Sequence, residues 1–62
     1  MKDPLLPTVE QLTAFYTRCV RISNLLKSIE MVRYDTRTKR IVILVGEETQ
    51  LEILENGEVI IG

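Results

Sequence analysis

The chain has 62 residues, of which 45% are hydrophobic and 27% are charged, and its net charge is −1. This balance is typical of a folded globular domain and argues against a disordered chain. A domain this short, with one cysteine and therefore no intrachain disulfide, is only marginally stable as a monomer. The longest apolar run, residues 41–45, is far shorter than a membrane-spanning helix. We therefore expect a cytoplasmic protein that does not bind membranes.

The domain is predicted to begin after a short arm. Pro4 and Pro7 disfavour regular structure, so residues 1–7 are expected to be extended. Residues 8–62 then form a single α+β domain.

A helix is predicted over residues 9–28. Thr8 and Gln11 have the spacing of a capping box, in which each side chain bonds the backbone of the other residue. Apolar residues recur three and four positions apart, which indicates one buried helix face. The predicted core face consists of Leu12, Phe15, Cys19, Ile22, Leu26 and Ile29.

The N-terminal half of this helix is apolar over a wider arc, because Val9, Tyr16 and Val20 lie beside the core face. A helix of about 20 residues is roughly 30 Å long, which exceeds the length of a short strand. We therefore expect this half of the helix to extend beyond its own sheet and contact a partner.

The remainder predicts a three- or four-stranded antiparallel meander. Residues 31–35, 41–45 and 50–55 are strand candidates, and the central one is apolar throughout. Asn56-Gly57 is typical of a two-residue type I′ hairpin turn.

That turn would fix the register of the last hairpin, with Glu55 opposite Glu58 and Leu54 opposite Val59. The predicted faces are then apolar on both sides. One face carries Leu51, Ile53 and Ile60, and the other carries Leu54, Val59 and Ile61. One helix covers only one face of a sheet, so a second copy of the chain is expected to cover the other. The predicted dimer or partner interface consists of Val9, Tyr16, Val20, Leu54, Val59 and Ile61.

Enzymatic chemistry is not indicated. The chain has no histidine, and Ser23 and Ser28 therefore lack the usual activating base. Cys19 belongs to the apolar helix face, and Glu47-Glu48 falls short of a calcium loop. We predict no catalytic residue, no cofactor and no metal.

Nucleic-acid binding is the alternative hypothesis. Arg33, Arg37, Lys39 and Arg40 lie on or beside one predicted hairpin, and basic β-ribbons can enter a DNA groove. An isoelectric point near 5.3 argues against this function, because nucleic-acid-binding domains are usually basic.

Four segments resemble a family of very short, functionally uncharacterised proteins associated with cyanobacteria. The segments are Pro7-Thr-Val-Glu-Gln-Leu-Thr13, Arg21-Ile-Ser-Asn-Leu-Leu26, Val32-Arg-Tyr-Asp35 and Leu54-Glu-Asn-Gly-Glu58. The resemblance covers residues 7–58 and implies a stand-alone protein of a bacterial cytosol. It implies no activity and no functional residues.

Two functional hypotheses result. The first is a small non-enzymatic homodimer that acts by protein–protein interaction. The second is an antitoxin-like regulator that contacts nucleic acid through the hairpin over residues 33–40.

Overall fold

The structure is a computed structural model that describes residues 6–62, so most of the predicted N-terminal arm lies outside the described residues. One helix precedes four strands. The elements are α1 (Val9–Asn24), β1 (Ile29–Asp35), β2 (Arg40–Val45), β3 (Thr49–Ile53) and β4 (Val59–Ile61). The strands form one antiparallel sheet in the order β1-β2-β3-β4. The α+β prediction of a helix followed by an antiparallel meander is confirmed.

Helix α1 begins with the predicted capping box. The backbone N–H of Gln11 donates to Thr8 Oγ1 over 3.1 Å, and the backbone N–H of Thr8 donates to Gln11 Oε1 over 2.9 Å. The Gln11 side chain is completely buried and also donates through Nε2 to the carbonyl oxygens of Lys39 (2.7 Å) and Ile53 (3.0 Å). This one amide therefore attaches the start of the helix to the residue that precedes β2 and to the last residue of β3.

The helix ends about one turn earlier than predicted. The N–H of Lys27 donates to the Ile22 carbonyl (3.1 Å) and that of Leu26 to the Ser23 carbonyl (3.0 Å), which is a Schellman motif. Leu26 has a φ of 58° and is 93% exposed, and Ile29 is the first residue of β1. Their assignment to the helix core face was wrong, because the left-handed residue turns the chain away from the helix axis.

The core lies between α1 and the two central strands. Its six buried side chains are Ile22, Ile41, Ile43, Val45, Leu51 and Ile53. Ala14, Phe15, Cys19, Tyr34 and Val59 pack against this cluster and are partly buried. Leu12, which was predicted to be in the core, is 48% exposed.

The β3–β4 hairpin differs from the prediction by one residue. The N–H of Gly57 donates to the Leu54 carbonyl (2.9 Å), and the N–H of Leu54 donates to the Glu58 carbonyl (2.8 Å). Gly57 alone in this loop has a positive φ, of 90°, so the type I′ turn was wrong. The connection is a three-residue loop whose last residue is left-handed.

This shift changes which side chains share a face. Leu51 pairs with Ile61 and Ile53 pairs with Val59, so Val59 and Ile61 lie on the helix side of the sheet. Leu54 and Ile60 lie on the open side, because one residue of register reverses every side chain. The predicted grouping of Leu54 with Val59 and Ile61 was wrong.

Candidate protein interface on helix α1

One exposed face of α1 carries no charge. The three charged residues of the helix, Glu10, Arg18 and Arg21, lie on one flank. Arg18 and Arg21 share a groove with Ile61, which places this charged flank beside β4. The opposite arc of about 140° holds no charged residue, and up to Val20 it holds only apolar residues and threonines, with Ser23 and Asn24 following in the last turn. The residues of this arc up to Val20, here named the uncharged face, are Val9, Leu12, Thr13, Tyr16, Thr17 and Val20.

The apolar members of the uncharged face are open to solvent. Val9 is 72% exposed and Tyr16 is 70% exposed, and Leu12 and Val20 are 48% and 39% exposed. Helices that meet only water usually carry charged residues on the side away from the core. An uncharged exposed face over three turns of a helix is therefore typical of a contact surface.

The two threonines of this face do not need water for their hydroxyl groups. Thr13 Oγ1 donates to the Val9 carbonyl over 2.9 Å, and Thr17 Oγ1 donates to the Thr13 carbonyl over 3.0 Å. Because each hydroxyl proton is already bonded within the helix, covering these residues with another protein costs little hydrogen bonding.

The sheet adds apolar surface beside the uncharged face. Helix α1 lies over β2 and β3, which leaves the helix side of β1 partly open. Val32 and Ile29, on that side of β1, are 44% and 36% exposed. Leu12 and Tyr16 lie on the helix flank away from β4, so they are on the same side of the molecule as this strand.

The open side of the sheet is mixed in character. Val42, Leu44 and Leu54 are half-buried there, although no described element covers them. Arg40 Nη1 lies 3.2 Å from Glu52 Oε1, and this ion pair joins the start of β2 to β3 on this face. Met31 and Ile60 also lie on this side and are 41% and 42% exposed, so the open side carries apolar surface as well as charge.

The predicted interface residues thus divide among three places. Val9, Tyr16 and Val20 lie together on the uncharged face. Val59 is part of the core edge, and Ile61, although 66% exposed, lies in the groove on the opposite flank. Leu54 lies on the open side of the sheet. Whether any of them contacts a partner stays a prediction.

Sequence reasoning missed Leu12, Thr13 and Thr17 as members of this surface. Leu12 was assigned to the core because it fits the three-and-four spacing of apolar residues. The signal that identifies all three is the absence of charge at every position of one arc, which is visible in the sequence once helix phase is known.

The basic hairpin is partly neutralised by its own carboxylates. Arg33 and Arg37 approach the Asp35 carboxylate to 3.4 and 3.7 Å, and Arg40 pairs with Glu52. The pKa of Asp35 is lowered, first by the hydrogen bond from the Arg37 backbone N–H and further by the two arginine charges. Of the four predicted contact residues, Lys39 has no ion pair within the described residues.

The described residues offer little reactive chemistry. Burial raises the pKa of the Cys19 thiol, which disfavours the nucleophilic thiolate. Between residues 6 and 62, no three histidine, cysteine or acidic side chains form a cluster able to hold a metal ion. No helix in the same range is long and apolar enough to cross a membrane.

Comparison with known proteins gives one positive result. No curated protein and no solved structure matches the chain. A family model described as a domain of unknown function, DUF6888, matches residues 6–60. This match spans nearly the whole sequence, including α1, β1 to β3 and two of the three residues of β4. The chain belongs to the DUF6888 family.

Proposed function

We propose that this protein is a non-enzymatic protein–protein interaction module that works as a homodimer. The observation that carries the proposal is the uncharged face of α1, on which Val9, Leu12, Tyr16 and Val20 are all exposed. A chain of 62 residues buries little apolar surface by itself, so contact through this face adds substantially to its stability.

Self-association is the direct test. We expect sedimentation velocity at micromolar concentration to give the mass of a dimer, and Tyr16→Glu to give a monomer that keeps its helical circular dichroism. Arg21→Glu is the matched control, because it places the same side chain on the charged flank of the same helix. It should leave the mass unchanged.

Two results would overturn the proposal. One is a wild-type chain that stays monomeric up to several hundred micromolar. The other is dissociation by Arg21→Glu to the same extent as by Tyr16→Glu, which would point to a general charge effect rather than to this surface.

The nucleic-acid hypothesis is the second candidate, and the grouping of Arg33, Arg37, Lys39 and Arg40 at one end of the sheet is what favours it. It predicts salt-dependent retention on random-sequence DNA that weakens in Arg37→Ala and Arg40→Ala. The ion pairs of this hairpin with Asp35 and Glu52 reduce the charge available to phosphate. Absent or salt-insensitive retention would discard it.

The cytoplasmic location and cyanobacterial source expected from the sequence stay predictions.

A further inference from the structure

A groove lies between the charged flank of α1 and strand β4, on the helix side of the sheet. The volume of this α1–β4 groove is about 700 Å³. The core side chains Ile22, Val45 and Leu51 form its floor, and the exposed side chains Leu25 and Ile61 border it. Ligand sites in proteins are usually clefts of about 300–1,000 Å³ with mostly apolar linings. The groove therefore has the size and lining of a binding site.

The groove carries positive and negative charges at different places. Arg18 and Arg21 are one helical turn apart and line the α1 wall. Glu47 and Glu48 line it from the β2–β3 turn, and Lys27 lines it from the connection after α1. The two carboxylates and one ammonium group give the turn end a net charge of −1. The α1 wall is therefore positive and the turn end is negative.

The path of the chain keeps these charges apart. The Gln11 amide, near the start of α1, donates to the Ile53 carbonyl at the end of β3. Beyond the other end of the helix, the N–H of Gly46 donates to the Ser28 carbonyl over 2.9 Å. The β2–β3 turn that follows Gly46 thus lies past the C-terminus of α1, whereas Arg18 is about 9 Å before that terminus along the helix axis.

The charged side chains of the groove form no ion pair within residues 6–62. The arginines of the β1–β2 hairpin differ, because Asp35 and Glu52 neutralise three of them. Charged groups that have no partner in the chain and lie beside an apolar floor are available to a ligand of complementary charge.

We infer that the α1–β4 groove binds an extended segment of another protein, in which aliphatic residues separate an acidic residue from a basic one. The acidic residue pairs with Arg18 and Arg21, the aliphatic side chains cover the floor, and the basic residue pairs with Glu47 or Glu48. The α1 wall from Arg18 to Leu25 is about 10 Å long, which matches about three extended residues. A fatty acid brings only a negative charge, so it leaves the glutamates without a partner.

This site is separate from the uncharged face, because Arg18 and Arg21 lie on the opposite flank of α1. It adds a binding partner to the proposed interaction module, and its occupation does not require the homodimer.

An NMR titration of the isotope-labelled full chain tests the site. The probe is a capped pentapeptide of glutamate, leucine, valine, leucine and lysine, and two control peptides carry glutamate or lysine at both ends. The probe should shift the amide resonances of Ile22, Leu25, Val45, Leu51 and Ile61. Each control should bind at least about fivefold more weakly, because it places a like charge at one end of the groove.

Two variants test the charge pairing. Arg18→Glu should weaken the probe about fivefold or more. Glu48→Lys lies in an exposed turn, so it should fold normally. It should weaken the probe but strengthen the peptide with glutamate at both ends, because the new ammonium group pairs with the second carboxylate. Tyr16→Glu is the matched control on the uncharged face and should leave the affinity for the probe unchanged.

Four results would overturn the inference. They are no amide shift at several millimolar probe, shifts confined to other surfaces, equal affinities for the three peptides, and octanoate binding as tightly as the probe. The last would identify a fatty-acid site. Sedimentation reports on dimerisation separately, so a monomeric wild-type chain that binds the probe would overturn only the proposed homodimer, and a dimer that fails to bind it would overturn only this site.

Discussion

Among the side chains of this domain, Gln11 is the one whose removal should lower the free energy of unfolding most for its size. Its amide donates to the Ile53 carbonyl, which is buried, and to the Lys39 carbonyl, which is partly buried, and it accepts from the Thr8 N–H. Replacement by methionine keeps an unbranched side chain of similar length but removes all three hydrogen bonds. The variant Gln11→Met therefore separates hydrogen bonding from packing.

The expected cost follows from the partners left behind. A buried carbonyl without a donor costs about 1–3 kcal/mol, and loss of half a capping box adds about 0.5–1 kcal/mol. Burial of the methionine thioether offsets part of this sum. We expect Gln11→Met to lower the free energy of unfolding by about 2–3 kcal/mol, which in a domain this small corresponds to a fall in Tm of roughly 10–20 °C.

Urea unfolding followed by circular dichroism, at matched chain concentration, measures this change. Gln50→Met is the control, because the Gln50 amide is exposed and makes only a 3.4 Å bond to Glu52 Oε2. The control should change the free energy of unfolding by less than about 0.5 kcal/mol. A Gln11→Met variant as stable as the control would refute the reasoning, since it would mean that water satisfies these carbonyls.

Three further predictions concern the backbone and pH. Gly57→Ala should lower the free energy of unfolding by about 1–3 kcal/mol, because Gly57 has a φ of 90° and an added Cβ would lie 3.1 Å from the Glu10 carbonyl oxygen. Gly46→Ala, with positive φ but open space, should cost less in the same unfolding assay, and equal costs would contradict the role of the contact. Leu26→Gly should raise the free energy of unfolding by about 0.5 kcal/mol, because glycine adopts the left-handed backbone of this position without strain. Leu26→Ala should give no such gain, because alanine keeps the Cβ that causes the strain. The Asp35 carboxyl has a lowered folded pKa, so its stabilisation is present above the unfolded pKa of about 3.9 and is lost as pH falls through the folded value. An NMR titration that places Asp35 at or above its ordinary pKa would contradict this.

Local signals predicted much of the fold. The capping residues Thr8 and Gln11 fixed the first turn of α1, since both of their bonds lie within four consecutive residues. The β-branched run in β2 indicated a central strand, and Ile41, Ile43 and Val45 are buried there. In each of these places the decisive interactions are close in sequence or follow a simple period.

The errors occurred where two local structures fit the same residues. Asn56-Gly57 is compatible with a two-residue turn and with the last part of a three-residue loop. The three-residue loop places both Val59 and Ile61 on the helix side, whereas the two-residue turn would place only Ile60 there. Gly57 also packs against the Glu10 backbone, a contact distant in sequence. The end of α1 was missed because Leu26 occupies a position where glycine is the usual signal.

By itself the sequence determined the types of the elements, their order and the antiparallel meander, because each depends on hydrophobic period, capping and turn residues within a short window. Only the tertiary structure decided which arc of α1 faces the sheet. Two apolar arcs compete on this helix, and the bonds from Gln11 to the end of the β1–β2 turn and to β3 favour one of them. The uncharged face is therefore left in solvent, because a single small sheet covers only one side of a helix whose rotation is fixed.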